Sequence, residues 1–345
     1  MRSKKWKQAW SWLPGVLISV IALVVLFRLV SWQDLASAFS SLSPFVLIAG
    51  VGLTILSALA RAQTWRILLG SRAPFLQTFH IVNIGFLLNN ILPFRSGEIG
   101  RAVLMGRASG LGTFHVLSTI VIERSYDLAV AACFLLTTLP LALGLEWARP
   151  VALTVLGLVI LGLFSLYLLA RFNEPVSGWV TRFAERHAVI QRVALPRILA
   201  LLEGLQALTS ARKMAESIFW ILAAWFLYIF VTFMFMGTFI PNPPFWWTIY
   251  LNGAVALGVA VPAGPGSIGV YEAAVVGALS ILQVSTSQAL AFAIAIHFTN
   301  WITMCVMGAI GLSQLGYSLA DVSSKVNLPE ASNRKNNPHQ WSKPL

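Results

Sequence analysis

Two stretches decide how this chain is read: Asn83–Gly100, NIGFLLNNILPFRSGEIG, and Asn252–Gly269, NGAVALGVAVPAGPGSIG. Aligned end to end, six of eighteen positions agree: Asn83/Asn252, Leu88/Leu257, Pro93/Pro262, Gly97/Gly266, Ile99/Ile268 and Gly100/Gly269. Shared Leu or Ile says little in an apolar chain. Shared Asn, Pro and Gly say more, because these residues polarise or break an apolar helix. Corresponding Gly/Pro-interrupted hydrophobic segments in two halves of a chain point to the binding region of a repeat-built transporter.

The 345 residues are 57% hydrophobic and only 10% charged, with mean hydropathy +0.77. A soluble domain carries about 25% charged residues. The chain therefore reads as an all-α polytopic membrane protein. Its net charge of +12 is the basic excess of cytoplasmic loops, not a nucleic-acid signal. Cys133 and Cys305 fall in apolar runs and read as buried small hydrophobes. No disulfide framework or metal-ligand spacing is present, and no cofactor is expected.

About 20 apolar residues cross the hydrocarbon. That length predicts six full spans, near Leu13–Val30, Pro44–Trp65, His115–Leu143, Pro150–Ala170, Met214–Phe239 and Ser287–Leu315. Between them, Phe75–Ser109 is interrupted at Pro93–Gly97 and Phe245–Leu282 at Pro262–Gly266. Each is expected to enter the membrane, turn, and leave on the same side, as two re-entrant helical hairpins; the alternative is an ordinary kinked helical hairpin that crosses fully. Such backbone is tolerated where protein or a wet cavity covers it.

With that topology the charges sort by side. Met1–Ser11, Arg61–Gly112, Arg171–Lys213 and Gly316–Leu345 hold nearly all the Lys and Arg; the opposite face holds Arg149 and Arg28 at a helix end, and none occurs from Met214 to Ser324. This positive-inside pattern places both termini in the cytoplasm of a cell (plasma or inner) membrane. Trp65 and Trp220 are expected at inner borders, and Trp246 and Trp247 at outer ones. Pro44–Trp65 then runs inward and its counterpart Met214–Phe239 outward, which makes an inverted-topology repeat. The expected organisation is one transmembrane domain over 1–320, with repeat A about 44–143, repeat B about 213–315 and a basic segment 171–213 between them. A polar tail, 321–345, is expected to be disordered.

Two further segments have plain readings. The basic then apolar start, with Ala36-Ser37-Ala38, resembles a secretory signal, but its apolar run of about 18 residues is longer than a signal's 7–15 and reads as an uncleaved span. Pro175–Ser210 mixes Arg with Trp179, Phe183, Leu202 and Leu205, as amphipathic helices on the inner leaflet would.

Charges at membrane depth are the candidate site, since each costs about 2.5–3.5 kcal/mol at the bilayer centre and must be paired or face a cavity. Arg95, Glu98 and Arg101 flank the first break beside Gly97 and Gly100. A helix N-terminus and two arginines there would suit a phosphate; alternatively Glu98 and Arg101 pair at i,i+3. Asn83, Asn89 and Asn90 add neutral donors and acceptors. Glu123 and Asp127 share a face of the next span, about 12–18 Å along it from His115. They either carry a proton or cation, or form an ion-pair network with Arg124. On the second hairpin Gly264, Gly266 and Gly269 match G-x-G-x-x-G, but no acid follows at ribose-binding distance, so the glycines read as sites of close backbone approach. Glu272 is expected to pair across the pseudo-axis with an arginine of the first cluster. His297 and Asn300, at i,i+3, are expected to face the same cavity. No nucleotide-binding G-x-x-x-x-G-K-[ST], H-E-x-x-H or G-x-S-x-G occurs, so enzymatic activity is not expected.

Asn89–Arg101, Glu123-Arg124 with Asp127, and Pro262–Glu272 together resemble, in order and spacing, the flippase-like transmembrane domain of lysylphosphatidylglycerol synthases. The resemblance spans Leu13–Leu315. It implies a lipid translocase that moves a polar or anionic lipid between leaflets, with Arg95, Glu98, Arg101, Asn83, Asn89 and Asn90 at the head group, Glu98, Glu123, Arg124, Asp127 and Glu272 balancing charge or coupling protons, and the tips at Pro93, Gly97, Pro262, Gly264, Gly266 and Gly269 gating. Its expected partners are membrane lipids, with a lipid-modifying enzyme as a further candidate. The sequence ends at Leu345 without an aminoacyl-transferase domain, so lysyl transfer is not expected. The rival readings are a membrane enzyme that transfers a group onto a lipid, and a non-transporting partner of such an enzyme.

Overall fold

The computed structural model describes residues 42–92, 96–143, 148–185, 190–259 and 263–319, with isolated positions before 42. Among them the chain forms eleven α-helices: α1 (Pro44–Leu68), α2 (Phe75–Ile91), α3 (Gly97–Ala108), α4 (Thr113–Leu143), α5 (Ala148–Arg171), α6 (Asn173–Ala184), α7 (Leu195–Leu205), α8 (Ala211–Phe239), α9 (Phe245–Gly258), α10 (Val270–Ile281) and α11 (Thr286–Gln314). Five of them, α1, α4, α5, α8 and α11, are long and apolar enough to cross a membrane. They coincide with five of the six expected spans. The sixth, Leu13–Val30, lies outside the described residues, as do Pro93, Arg95, Pro262 and the tail.

Three of these spans open on serine. The hydroxyl of Ser43 accepts from Phe45 N–H at 3.2 Å, that of Ser210 from Lys213 N–H at 3.4 Å, and that of Ser285 from Gln288 N–H at 3.3 Å. Each satisfies a donor that the first helical turn leaves free. Pro44 follows its cap at the one position where a missing N–H costs nothing.

The two interrupted stretches form helical hairpins. Their arms, α2 (17 residues), α3 (12), α9 (14) and α10 (12), are about 18–26 Å long at 1.5 Å per residue, short of a hydrocarbon core of about 30 Å. In the first hairpin Gly97 lies against Asn89 and Arg101 against Gly85, so the arms run antiparallel. Asn89 Oδ1 accepts the Gly97 N–H at 2.8 Å and caps the returning arm. A Cβ at Gly97 would strike the Gly85 carbonyl oxygen. Gly97→Ala is therefore expected to cost about 2 kcal/mol by forcing the arms apart, read as a lowered thermal midpoint in detergent. The second hairpin turns through Gly266 (φ 65°), Ser267 (φ 55°) and Gly269 (φ 86°). Gly266 has a second reason to be glycine: a Cβ there would lie 2.7 Å from Trp301 Nε1.

The helices pair reciprocally. α1 packs on α8, antiparallel, with Gly50 facing Phe235 and the Ser57 hydroxyl donating to the Ala224 carbonyl at 2.9 Å. α2 packs on α11, where Gly311 sits 2.9 Å from the His80 carbonyl and Gly308 2.7 Å from that of Asn83, measured from an added Cβ. Under the repeat, the counterpart of that pair is α9 with α4. These also pack, Gly253 lying against Phe134 and Ala131. So α1–α4 and α8–α11 exchange partners about a two-fold axis. Because α1 and α8 pair with each other antiparallel, the axis is perpendicular to them, as an inverted repeat requires. Asn83 and Asn252 make matching bonds, their amides donating at 2.8 Å to the carbonyls of Phe79 and Thr248 four residues back. Small residues line these seams because lipid tails give helices no hydrophobic reason to associate and close packing must supply it.

α5 stands at the flank and exposes Leu153, Leu158, Ile160, Leu161 and Phe164. The basic segment forms two helices, α6 and α7. α6 exposes Trp179 and Phe183 with their rings stacked, while α7 buries Leu202 and Leu205. One expectation fails: Cys133 is exposed on α4, not buried. Trp65 is fully buried, because an arginine described below uses its ring face.

A polar cavity backed by a closed ion network

α1 contributes Arg61 and Trp65, α3 contributes Glu98 and Arg101, and α4 contributes Glu123, Arg124 and Asp127. Glu123 is the hub. Its two oxygens take Arg101 Nη2 and Arg124 Nη2, each at 2.7 Å, and Arg61 stands 4.0 Å away. Asp127 takes Arg61 Nη1 at 3.0 and 3.1 Å, Arg124 Nη1 at 3.2 Å and the Trp225 indole N–H at 2.9 Å. Glu98 stands 3.7 Å from Arg124. Three guanidiniums thus face three carboxylates. Arg101 and Glu123 are 2% and 1% exposed, so removing one would leave the other as a costly buried charge. The Arg101 guanidinium also lies 4.2 Å from the centre of the Trp65 ring, whose N–H donates to Thr119 at 3.0 Å. A desolvated cation over an indole face is worth about 2 kcal/mol.

In front of this network a cavity of about 280 Å³ opens between the two repeats. Arg61, Asn89, Asn90 and Arg124 line it from the first repeat, and Tyr228, Asn252, Tyr271, His297, Asn300 and Trp301 from the second. These positions fall near mid-length of α1, α8 and α11. Among the described residues no carboxylate lines the cavity, while two guanidiniums do. Asn300 Oδ1, Trp301 Nε1 and Arg124 Nε are buried without a hydrogen-bond partner among the described residues. A cavity this size, at the lower end of the roughly 300–1,000 Å³ of small-molecule sites, has room for a polar head group and none for acyl chains.

The second repeat adds a pair of its own. Glu272 Oε1 lies 2.6 Å from His297 Nδ1, and Oε2 accepts the Gly269 N–H at 2.6 Å. Tyr271 stacks on His297 at 4.2 Å between ring centres, with Tyr228 beside it.

The structure thus divides the expected site. Asn89, Asn90 and Arg124 face the cavity; Glu98, Arg101, Glu123 and Asp127 stand behind it as the ion network. Glu98 and Arg101 do not pair with each other: Arg101 turns to Glu123, because Gly97 and Gly100 dock α3 on α2 and aim Arg101 at α4. Asn83 is buried in the α2–α11 seam away from the cavity. Glu272 meets His297, not an arginine, since its other oxygen is fixed on its own helix start. Gly264 and Gly269 belong to the second turn, and Arg95 lies outside the described residues. Sequence reasoning missed Arg61, Tyr228 and Trp301. Arg61 was grouped with inner-loop charges although its helix continues seven residues beyond it, to Leu68; a charge a full turn inside an apolar helix was the available signal.

Comparison with known proteins agrees with this architecture. The profile of the lysylphosphatidylglycerol synthase TM region matches residues 12–308. A UPF0104 membrane protein of Methanothermobacter thermautotrophicus is 23% identical over 331 residues, covering 87% of this chain and 93% of that protein.

Proposed function

The chain belongs to the lysylphosphatidylglycerol synthase TM-region family, and from that membership we propose that it moves a polar lipid with an anionic head group between the leaflets of a cell membrane. One observation carries the reading: a head-group-sized cavity at mid-depth between inverted repeats, lined by Arg61 and Arg124 and by no carboxylate among the described residues. Inverted repeats give alternating access because their two-fold axis relates the inward-open and outward-open arrangements. The hairpins α2–α3 and α9–α10 are re-entrant in this reading, entering from the cytoplasmic and outer sides respectively, and gate the cavity from each. Both termini are cytoplasmic, and α6 lies on the inner leaflet with Trp179 and Phe183 in the head-group layer. The acyl chains stay in lipid while the head group crosses.

The Asn300 oxygen and Trp301 indole N–H, which have no partner among the described residues, would hold the head group. The test is fluorescent phosphatidylglycerol in proteoliposomes, with dithionite quenching of the outer leaflet. The wild-type chain is expected to expose the inner-leaflet probe. Trp301→Phe keeps an aromatic ring against Phe298, whose ring centre lies 6.1 Å away, and loses the N–H together with the second ring of the indole. It is expected to slow exchange about tenfold, the worth of one hydrogen bond to a charged group. Unchanged exchange in Trp301→Phe would remove that residue from the site. A chemically altered probe by mass spectrometry would instead make the chain a transferase.

A further inference from the structure

The ion network of the first repeat is a poor proton carrier. Arginine keeps its proton at any attainable pH, and each carboxylate is already held by at least one guanidinium. Glu272 and His297 differ in kind. They are 7% and 12% exposed, their polar atoms are 2.6 Å apart, and neither has an arginine partner among the described residues. One carboxylate oxygen is anchored by the Gly269 N–H, which leaves the other to the imidazole. His297 also lines the cavity, so its ring can be reached by whatever the cavity admits. Imidazole is the side chain that changes charge near neutral pH.

The surroundings define what a proton there would do. Tyr271 stacks on the imidazole from α10 and Tyr228 approaches from α8. Asn300 and Trp301 follow on α11, and Asn252 faces the cavity from α9. Among the described residues, the charged groups facing it are Arg61 from α1 and Arg124 from α4. With one proton shared, the Glu272–His297 pair is neutral; without it, the pair carries −1. An anion entering beside Arg61 and Arg124 meets a neutral wall in the first case and a like charge in the second, a repulsion that a low-dielectric cavity amplifies.

We propose that Glu272 and His297 form a proton-carrying pair that couples head-group movement to the transmembrane proton gradient, one proton travelling with each anionic head group. This rests on the cavity being the head-group site. The proton is taken from water on one face onto the Glu272–His297 pair and returned to water on the other; no other bond is made or broken. A singly charged head group and its proton cross together without net charge, so the gradient in pH, not the membrane potential, is the driving force.

The test uses the full chain in phosphatidylcholine vesicles with fluorescent phosphatidylglycerol as the probe and a pH step of one unit across the membrane. The wild-type chain is expected to drive the probe toward the alkaline leaflet, up to tenfold enrichment at the endpoint for one coupled proton, and zwitterionic fluorescent phosphatidylcholine is expected to show no bias. Glu272→Gln and His297→Gln are expected to move the probe more slowly and to equal occupancy whatever the gradient. An endpoint is independent of rate, so a variant that is merely damaged would still show the bias. Exchange by the wild type with no response to the gradient overturns the coupling and leaves the translocase reading standing, as does bias retained in both variants. No exchange by the wild type overturns both.

Discussion

Glu123→Gln should prevent this protein from folding stably. The carboxylate at the hub of the network holds Arg101 and Arg124 at 2.7 Å and is 1% exposed. Its removal leaves three guanidiniums against two carboxylates and leaves Arg101, 2% exposed, as an unpaired buried charge. Breaking a buried ion pair from one side costs about 3–5 kcal/mol, a large share of the total stability of a domain. The expected result is loss of most of the monodisperse peak after detergent extraction. The informative comparison is the double variant Glu123→Gln with Arg101→Met. It restores two against two and keeps an apolar chain over the Trp65 ring, so it should recover a large part of the lost material. No recovery would mean that Glu123 acts through packing and not through charge.

Tethering the first hairpin should stop transport outright. Asn90, in the last turn of α2, has its side-chain nitrogen 3.4 Å from the Trp301 carbonyl and 3.5 Å from the sulfur of Cys305 on α11. Asn90→Cys would therefore place a thiol beside a native one, with Cys133 replaced by Ser to remove the exposed alternative. Cross-linking this pair with a short bifunctional thiol reagent, or by oxidation, should reduce lipid exchange at least a hundredfold. Reduction of the oxidised form should restore it. If exchange continued in fully cross-linked protein, α2 would not move against α11 during transport and the gate would have to be sought in α9–α10.

Much of this architecture was legible because the bilayer imposes it. Runs of the required length delimit α1, α8 and α11 to within a few residues. The paired Pro and Gly interruptions place both hairpins. The side-chain partners were harder to read. α1 and α2 are apolar nearly all round, so their sequences mark no inward face, and Arg61 could not be told from a loop charge. Arg101 reads naturally as the i,i+3 partner of Glu98, yet its partner lies 22 residues away because glycine packing rotates α3. His297 looks isolated for the same reason: Glu272 is 25 residues distant, and only the docking of α10 on α11 joins them.

The reciprocal exchange of helices also bears on how the chain is made. α2 and α4 find their packing partners, α11 and α9, only after well over a hundred further residues have left the ribosome. A half-made chain with open charges would be expelled from the bilayer or degraded. Yet Arg61, Glu98, Arg101, Glu123, Arg124 and Asp127 all emerge within the first 127 residues and neutralise one another. Glu272 and His297 likewise arise together, in the later half. Each half thus pairs its own charges as it is threaded into the membrane, and the wait for the other half concerns small-residue seams and a few hydrogen bonds, such as those of Ser57 to Ala224 and Trp225 to Asp127.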